Sequence, residues 1–210
     1  INKIKLIAHR GYSFEHRENS WEAIKAAIEL GYSGVEIDVQ PCASGELCLH
    51  HDLYVDDSFI CDMSVDEIRE KGICFLRDIY DKIHHSVHLY IDIKGGNAEA
   101  VVEFFRDKVH DHVTFCSFNR QILRALPSNM KKGTTFEMIP GGVYEYDILT
   151  EGMDAVLIHW SCLNEEFIGY CRTKGIEVLT YTHKTMMDLR YICHFKLDGI
   201  ITDGLKNTDA

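Results

Sequence analysis

The chain lacks any apolar run approaching the roughly 18 residues that a membrane span needs, so stable membrane insertion is not expected. It has eight cysteines but no Cys-x-x-Cys pair, which argues against a zinc ribbon. No Gly-x-Gly-x-x-Gly follows the first strand-like run, which weakens a dinucleotide-binding sheet. Basic residues are in short supply: 22 Lys and Arg stand against 33 Asp and Glu, for a formal net charge of −11. That balance offers no global field to nucleic acid or an anionic membrane, so any phosphate must be met by a few local basic groups or a metal. Linkers, low-complexity segments and internal repeats are missing too. Ile1-Asn2-Lys3-Ile4-Lys5 holds no signal-peptide core, and the missing initiator Met leaves a targeting segment upstream an open matter.

What is present is ordinary globular material, 46% apolar and 26% charged over 210 residues. One domain spanning 1–210 suits this length if the fold is a barrel. The cysteines are scattered, and Cys48 and Cys116 sit inside apolar strand-like runs where a thiol behaves as a small hydrophobe. The expectation is reduced thiols in a cytoplasmic protein.

Short β-rich runs alternate with helical patterns. Strands are predicted at 4–9, 34–40, 46–52, 88–94, 113–118, 132–139, 154–160, 176–183 and 199–203, punctuated by Gly, Asp and Asn. Helices are predicted at 20–30, 64–71, 75–83, 97–109, 119–126, 144–151, 164–174 and 184–194. The first has Ser20 as N-cap, Trp21, Ile24, Ala27 and Ile28 on one face, and Gly31 as its stop. Such alternation argues for a parallel sheet with helical crossovers. The link 41–45 is too short for a crossover, so 34–40 and 46–52 should form a hairpin. The other eight strands can close into a (β/α)₈ TIM barrel, an α/β fold with a short β-hairpin and insertion after the second strand. A doubly wound open sheet is the competing architecture.

In a barrel the chemistry sits at the C-terminal strand ends. Here those ends read His9-Arg10-Gly11, Glu36 and Asp38, His50-His51-Asp52, Asp92 and Lys94, Ser117, His159, Tyr181, His183 and Asp203. Glu36/Asp38 and Asp92/Lys94 are i, i+2 pairs, so each pair shares one strand face, about 6.5 Å apart. The apolar residues between them belong against helices, which turns the ionisable faces into the barrel. Three carboxylates there would repel one another; a hard divalent cation resolves this, with Mg, Ca or Mn favoured over Zn. The competing reading of either pair alone is an edge strand with its charged face in solvent. Two pairs together with His9 and His51 tip the balance to a site. Arg10 is suited to phosphate, Gly11 to a close backbone approach, and His9 to carrying a proton near neutral pH. His16, His84, His85, His110, His112 and His194 are read as surface or core residues without a role.

Taken in order, His9-Arg10-Gly11, Glu18-Asn19-Ser20, Glu36-Ile37-Asp38-Val39, His51-Asp52, Asp92-Ile93-Lys94, Ser117-Phe118 and Asp198-Gly199-Ile200-Ile201-Thr202-Asp203 resemble the glycerophosphodiester phosphodiesterase family. The resemblance implies a (β/α)₈ barrel and one divalent metal ion (Mg, Ca or Mn) bound by Glu36, Asp38 and Asp92. It also implies His9 and His51 as the acid/base pair, with Arg10 and Lys94 on the phosphate oxygens. Glycerophosphodiesters would be cleaved to glycerol 3-phosphate and a free alcohol, the neighbouring glycerol hydroxyl attacking to give a cyclic phosphate that water opens. Residues 53–87 look like the family's short insertion. Asp92 stands where the family usually has Glu, as in sphingomyelinase D-type phospholipases, and Arg17 where it has Pro. Tyr181 stands where Trp is common and His183 where Asn is common; with His159 they would line the alcohol pocket.

Three rivals share parts of this pattern. A lysophospholipase D or sphingomyelinase D-like enzyme would use the same site, but the chain is short and nothing after Asp203 resembles that group's C-terminal plug. A catalytically silent barrel that binds phosphorylated metabolites would not need both histidines and all three carboxylates. An enolising (β/α)₈ metalloenzyme would not need Arg10 and Lys94.

Overall fold

A computed structural model describes residues 4–83, 87–96 and 98–204; His84 and His85 lie outside the described residues. In chain order the elements are β1 (Lys5–His9), α1 (Trp21–Glu29), β2 (Gly34–Pro41), β3 (Leu47–Leu49), β4 (Tyr54–Val55), β5 (Ser58–Phe59), α2 (Val65–Glu70), α3 (Leu76–Ile83) and β6 (His88–Ile93). There follow α4 (Glu99–Phe105), β7 (Val113–Ser117), α5 (Arg120–Ala125), β8 (Lys131–Phe136), α6 (Val143–Thr150), β9 (Ala155–His159), α7 (Glu165–Thr173), β10 (Glu177–His183), α8 (Met186–Ile192) and β11 (Gly199–Thr202).

Eight parallel strands, β1, β2 and β6 through β11, form a closed ring with helices between them. Closure is made by β1, which bonds to β2 on one side and to β11 on the other. β3 lies outside the ring, antiparallel to β2 with Val39 opposite Leu49. The period of two along β2 separates two environments. Val35, Ile37 and Val39 face outward and pack with Ile24 and Ala27 of α1. Glu36 and Asp38 face inward. Below them Ile7, Tyr90, Cys116, Leu157, Leu179 and Ile201 fill the interior, so the barrel is plugged and its floor is apolar. Gly34 makes room for this plug, since a Cβ there would sit 3.0 Å from the Tyr90 ring and 3.2 Å from the His88 carbonyl oxygen.

The helices carry the end signals read from the sequence. The Ala23 N–H donates to Ser20 Oγ at 3.1 Å, and Gly31 closes α1 with φ +80°. Fully burying Ile24 of α1 contributes roughly 1.5–3 kcal/mol. All eight cysteines are free thiols. Among the described residues no helix is long and apolar enough to cross a membrane.

The structure trims and divides what the sequence suggests. The strand expected at 46–52 stops at Leu49, because the Gln40 side chain takes over the backbone beyond it: its amide nitrogen donates to the His50 carbonyl at 2.8 Å and the Asp52 carbonyl at 2.7 Å. The segment 53–87 divides into two parts. Its first part holds the small β4–β5 hairpin, turned at Asp56 in the left-handed region, and α2, packed through Ile60, Met63, Ile68 and Phe75 on Cys42 and Cys48. Its last part is α3, whose Leu76, Ile79, Tyr80 and Ile83 join the main core as the crossover helix before β6.

Candidate active site

A cavity of about 220 Å³ opens at the C-terminal ends of the barrel strands. His9, Arg10, Glu36, Asp38, His51, Asp92, Lys94 and Tyr181 all line it, brought there by five different strands or the segments just after them. β2 and β6 are in register with Asp38 opposite Asp92, which sets the three carboxylates side by side. One oxygen from each of Glu36, Asp38 and Asp92 lies within 4.8 Å of the others, and all three residues are buried.

Each carboxylate is held differently. Asp38 is clamped by Asn19, whose side-chain amide donates to Oδ2 at 2.9 Å and accepts from the Asp38 N–H at 3.0 Å. Arg10 Nε lies 3.2 Å from the same oxygen, and Lys94 Nζ lies 3.3 Å from Oδ1. Lys94 also donates to Asp92 Oδ2 at 2.7 Å, while Asp92 Oδ1 is buried without a partner among the described residues. Glu36 Oε2 accepts from the Arg10 N–H at 3.0 Å. Arg10 directs its N–H there from a left-handed backbone, φ +58°, a geometry that costs an arginine about 1–3 kcal/mol. Gly11 follows at φ +79°, and the close approach it permits is to the first turn of α1: a Cβ would meet the Ala23 carbonyl carbon at 2.6 Å.

Burial, then the facing Asp38 and Asp92, pushes the Glu36 carboxyl well above the usual carboxylate range. Burial likewise raises Asp92. Burial works against the Lys94 ammonium, but Asp92 and Asp38 outweigh it and raise its pKa. Two local cations therefore do not balance three buried carboxylates. An unpartnered, inward-facing carboxylate oxygen and an all-oxygen donor set are what a hard divalent cation requires, so these residues fit Mg, Ca or Mn.

The two histidines flank this group and share one arrangement. His9 Nδ1 is hydrogen-bonded to Asp203 Oδ1, which leaves Nε2 turned toward Glu36, 4.0 Å away. His51 Nδ1 is hydrogen-bonded to Asp52 Oδ1 at 2.8 Å. Burial opposes the Asp203 charge, yet the His9 bond and the neighbouring Lys184 hold its carboxyl below the usual range. The bond from His51 does the same for Asp52.

Two residues expected in the pocket lie elsewhere. The β10–β11 register slips by one residue between Thr180 and His183, which breaks the period of two. His183 is thereby fully buried in the wall, with neither ring nitrogen partnered among the described residues, and burial lowers its pKa to about 4. Lys184 takes the place in the cavity lining, with its Nζ 3.5 Å from Asp203 Oδ2. His159 stands behind Tyr181, ring centroids 5.6 Å apart, with Nδ1 bonded to Ser161. Tyr181 itself faces the cavity and donates to the Phe136 carbonyl at 3.1 Å. Asn19, Gln40 and Asp203 organise the site without having been given a role by sequence, although Asn19 and Asp203 lie inside the quoted motifs. Lys184 carried a signal as the first residue beyond a strand.

A closed parallel barrel with an acidic, cation-ready centre and basic groups at its mouth defines a barrel hydrolase of phosphate esters. The chain belongs to the glycerophosphoryl diester phosphodiesterase family, whose model matches residues 9–206, and it is a phosphoric diester hydrolase. It is 28% identical over 232 residues to a glycerophosphodiester phosphodiesterase of Caldanaerobacter subterraneus subsp. tengcongensis, covering 96% of this chain and 94% of that one. Its fold matches the crystal structure of the Thermotoga maritima glycerophosphodiester phosphodiesterase with a TM-score of 0.85 at 26% identity, over 97% and 96% of the two chains. It also matches an Oleispira antarctica phosphodiesterase solved in complex with the product sn-glycerol-3-phosphate, with a TM-score of 0.83 at 23% identity, over 95% and 92%.

Proposed function

We propose that the protein hydrolyses glycerophosphodiesters to sn-glycerol 3-phosphate and a free alcohol, with a divalent metal ion held by Glu36, Asp38 and Asp92 and with His9 and His51 as the acid/base pair. The observation that carries this reading is the pair of aspartate-backed imidazoles, His9–Asp203 and His51–Asp52, on either side of three buried carboxylates. Bound there, the ion would neutralise charge that gathers on the phosphoryl oxygens.

The chain's own groups do the rest. Each aspartate fixes its imidazole with Nδ1 occupied, so Nε2 is the atom free to move a proton. One histidine takes the proton from the attacking glycerol hydroxyl and the other gives one to the leaving alcohol oxygen; the reverse pair of transfers serves the water that opens the cyclic phosphate. Lys94 and Arg10, held beside Asp38, place fixed positive charge at the same oxygens. Tyr181 and Phe118, rings 6.2 Å apart, form an apolar wall for the alcohol half. The small-molecule diester is the partner; a chain this acidic offers nucleic acid no global attractive field. The test is release of glycerol 3-phosphate from glycerophosphocholine. Release should stop on chelation and return with Mg, Ca or Mn but not with a monovalent ion. Full turnover after demonstrated metal removal would refute the metal assignment.

A further inference from the structure

The ring divides the cavity into two unlike halves. β1, β2 and β6 bring His9 and the three carboxylates, and β8, β9 and β10 stand directly across the ring from them. The far wall is made by Phe118, Thr135, Leu157, Tyr181, Thr182 and Ile201, and no carboxylate of the lining lies on it.

Three hydroxyls reach this wall, and they differ. Tyr181 spends its O–H on the Phe136 carbonyl at 3.1 Å. Thr182 is half-buried. Thr135 is only 6% exposed, and its Oγ1 has no partner among the described residues. A buried hydroxyl left without a partner is costly, so one held open on a cavity wall suits a ligand that completes it. The neighbouring Thr134 provides the contrast. Its Oγ1 is also buried and unpartnered, but it shares the strand face of Phe136, which packs away from the cavity on Phe167.

The rings of the far wall do not favour a cation. Lys94 Nζ already stands 5.6 Å over the Phe118 ring, and Lys184 lines the same cavity. A quaternary ammonium set against Phe118 would meet like charge on a face that is already taken. Glu137, behind the wall, is turned to His159 at 3.9 Å and lies outside the lining. A neutral alcohol meets no such repulsion. Where it carries a hydroxyl of its own, that group and Thr135 can each donate and accept.

We propose that Thr135 is a specificity-determining residue: its hydroxyl selects diesters whose alcohol half is a neutral polyol, such as glycerophosphoglycerol, over those with a cationic alcohol, such as glycerophosphocholine. The proposal rests on the hydrolase reading above, in which this wall receives the alcohol half. On glycerophosphoglycerol the bond from phosphorus to the departing glycerol oxygen breaks, that oxygen gains a proton, and water adds to the phosphorus. The products are glycerol 3-phosphate and glycerol.

The test compares rates on the two diesters, using the full chain with Mg. The wild type should favour glycerophosphoglycerol by about tenfold in kcat/KM. Thr135→Val keeps the shape and removes the hydroxyl. It should lose about tenfold or more on glycerophosphoglycerol and stay within about twofold of wild type on glycerophosphocholine. Thr135→Ser should keep most of the preference, and Thr134→Val should leave both rates unchanged. The unfolding midpoint of Thr135→Val should be no lower than that of the wild type, because the hydroxyl has no partner in the fold to lose. A wild-type preference for glycerophosphocholine, an intact preference in Thr135→Val, or a lowered midpoint in that variant would overturn the proposal. An equal loss on both diesters would put Thr135 against the glycerol half that they share and would overturn it too. In each of these cases the hydrolase reading survives. Turnover of neither diester by the wild type would remove that reading and the proposal with it.

Discussion

At the scale of single residues, the two imidazoles differ in setting although they share a partner type. His9 is tied to an aspartate 194 residues away and half-buried, while His51 is tied to its own neighbour in a more exposed place. His9→Ala and His51→Ala should each lower kcat by about 10² or more, the lower end of acid–base contributions, with little change in unfolding midpoint. Wild-type kcat in either variant, measured on glycerophosphocholine, would rule out the two-histidine mechanism. Asp92 carries a separate expectation. Its Oδ2 is committed to Lys94 and its Oδ1 to nothing among the described residues, so Oδ1 is the oxygen left for the cation. Asp92→Asn should weaken metal binding strongly in calorimetric titration, because a charge is lost at constant shape, and Asp92→Glu should weaken it less. Equal affinity in Asp92→Asn and wild type would remove Asp92 from the ligand set.

At the scale of elements, β3 and the turn after it show how a buried amide steers the loop that carries His51. Gln40 lies on β2, and its two N–H bonds hold the His50 and Asp52 carbonyls, which aims His51 at the cavity. Gln40→Leu should cost about 1–3 kcal/mol, since two carbonyls lose their donor, and should lower kcat more than it raises KM. An unchanged kcat would mean that the loop finds its place without Gln40. The elements were legible in the sequence where physics is local. The period of two in Glu36-Ile37-Asp38 and Asp92-Ile93-Lys94 placed inward and outward faces on β2 and β6, and the five-residue link before β3 forced a hairpin. What stayed hidden acts across distance. Asn19 reaches Asp38 over 19 residues and Asp203 reaches His9 over 194, and no spacing rule reports such bonds. His183 was misplaced for a different reason: an extra residue in β10 inverts the expected facing, and nothing in Leu179-Thr180-Tyr181-Thr182 announces it. The β4–β5 hairpin went unseen because its four strand residues are too few for a period to show.

At the scale of the whole molecule, the half-buried His88 and the fully buried His183 make stability fall in acid. Burial lowers His88 and His183 to about 4, from 6.5 in the unfolded chain. Both are therefore neutral in the fold and take up protons on unfolding between those values. Their contribution is complete above pH 6.5 and is lost as pH falls toward 4, with a slope of up to about 1.4 kcal/mol per pH unit for each group. Urea midpoints should fall across that window, and His183→Leu, which also removes two unpartnered nitrogens, should flatten the fall. A His183→Leu profile parallel to wild type would assign the acid sensitivity elsewhere. The ring closure described above also bears on how the protein comes into being. Of the barrel strands β1 is made before the others, yet one of its two neighbours is β11, with Lys5 opposite Gly199. Until that last strand emerges, β1 remains an exposed edge open to wrong pairing. The same event delivers Asp203 to His9. A nascent chain halted before β11 should thus be aggregation-prone and, on the proposed mechanism, inactive, so the onset of phosphodiesterase turnover during synthesis should report barrel closure.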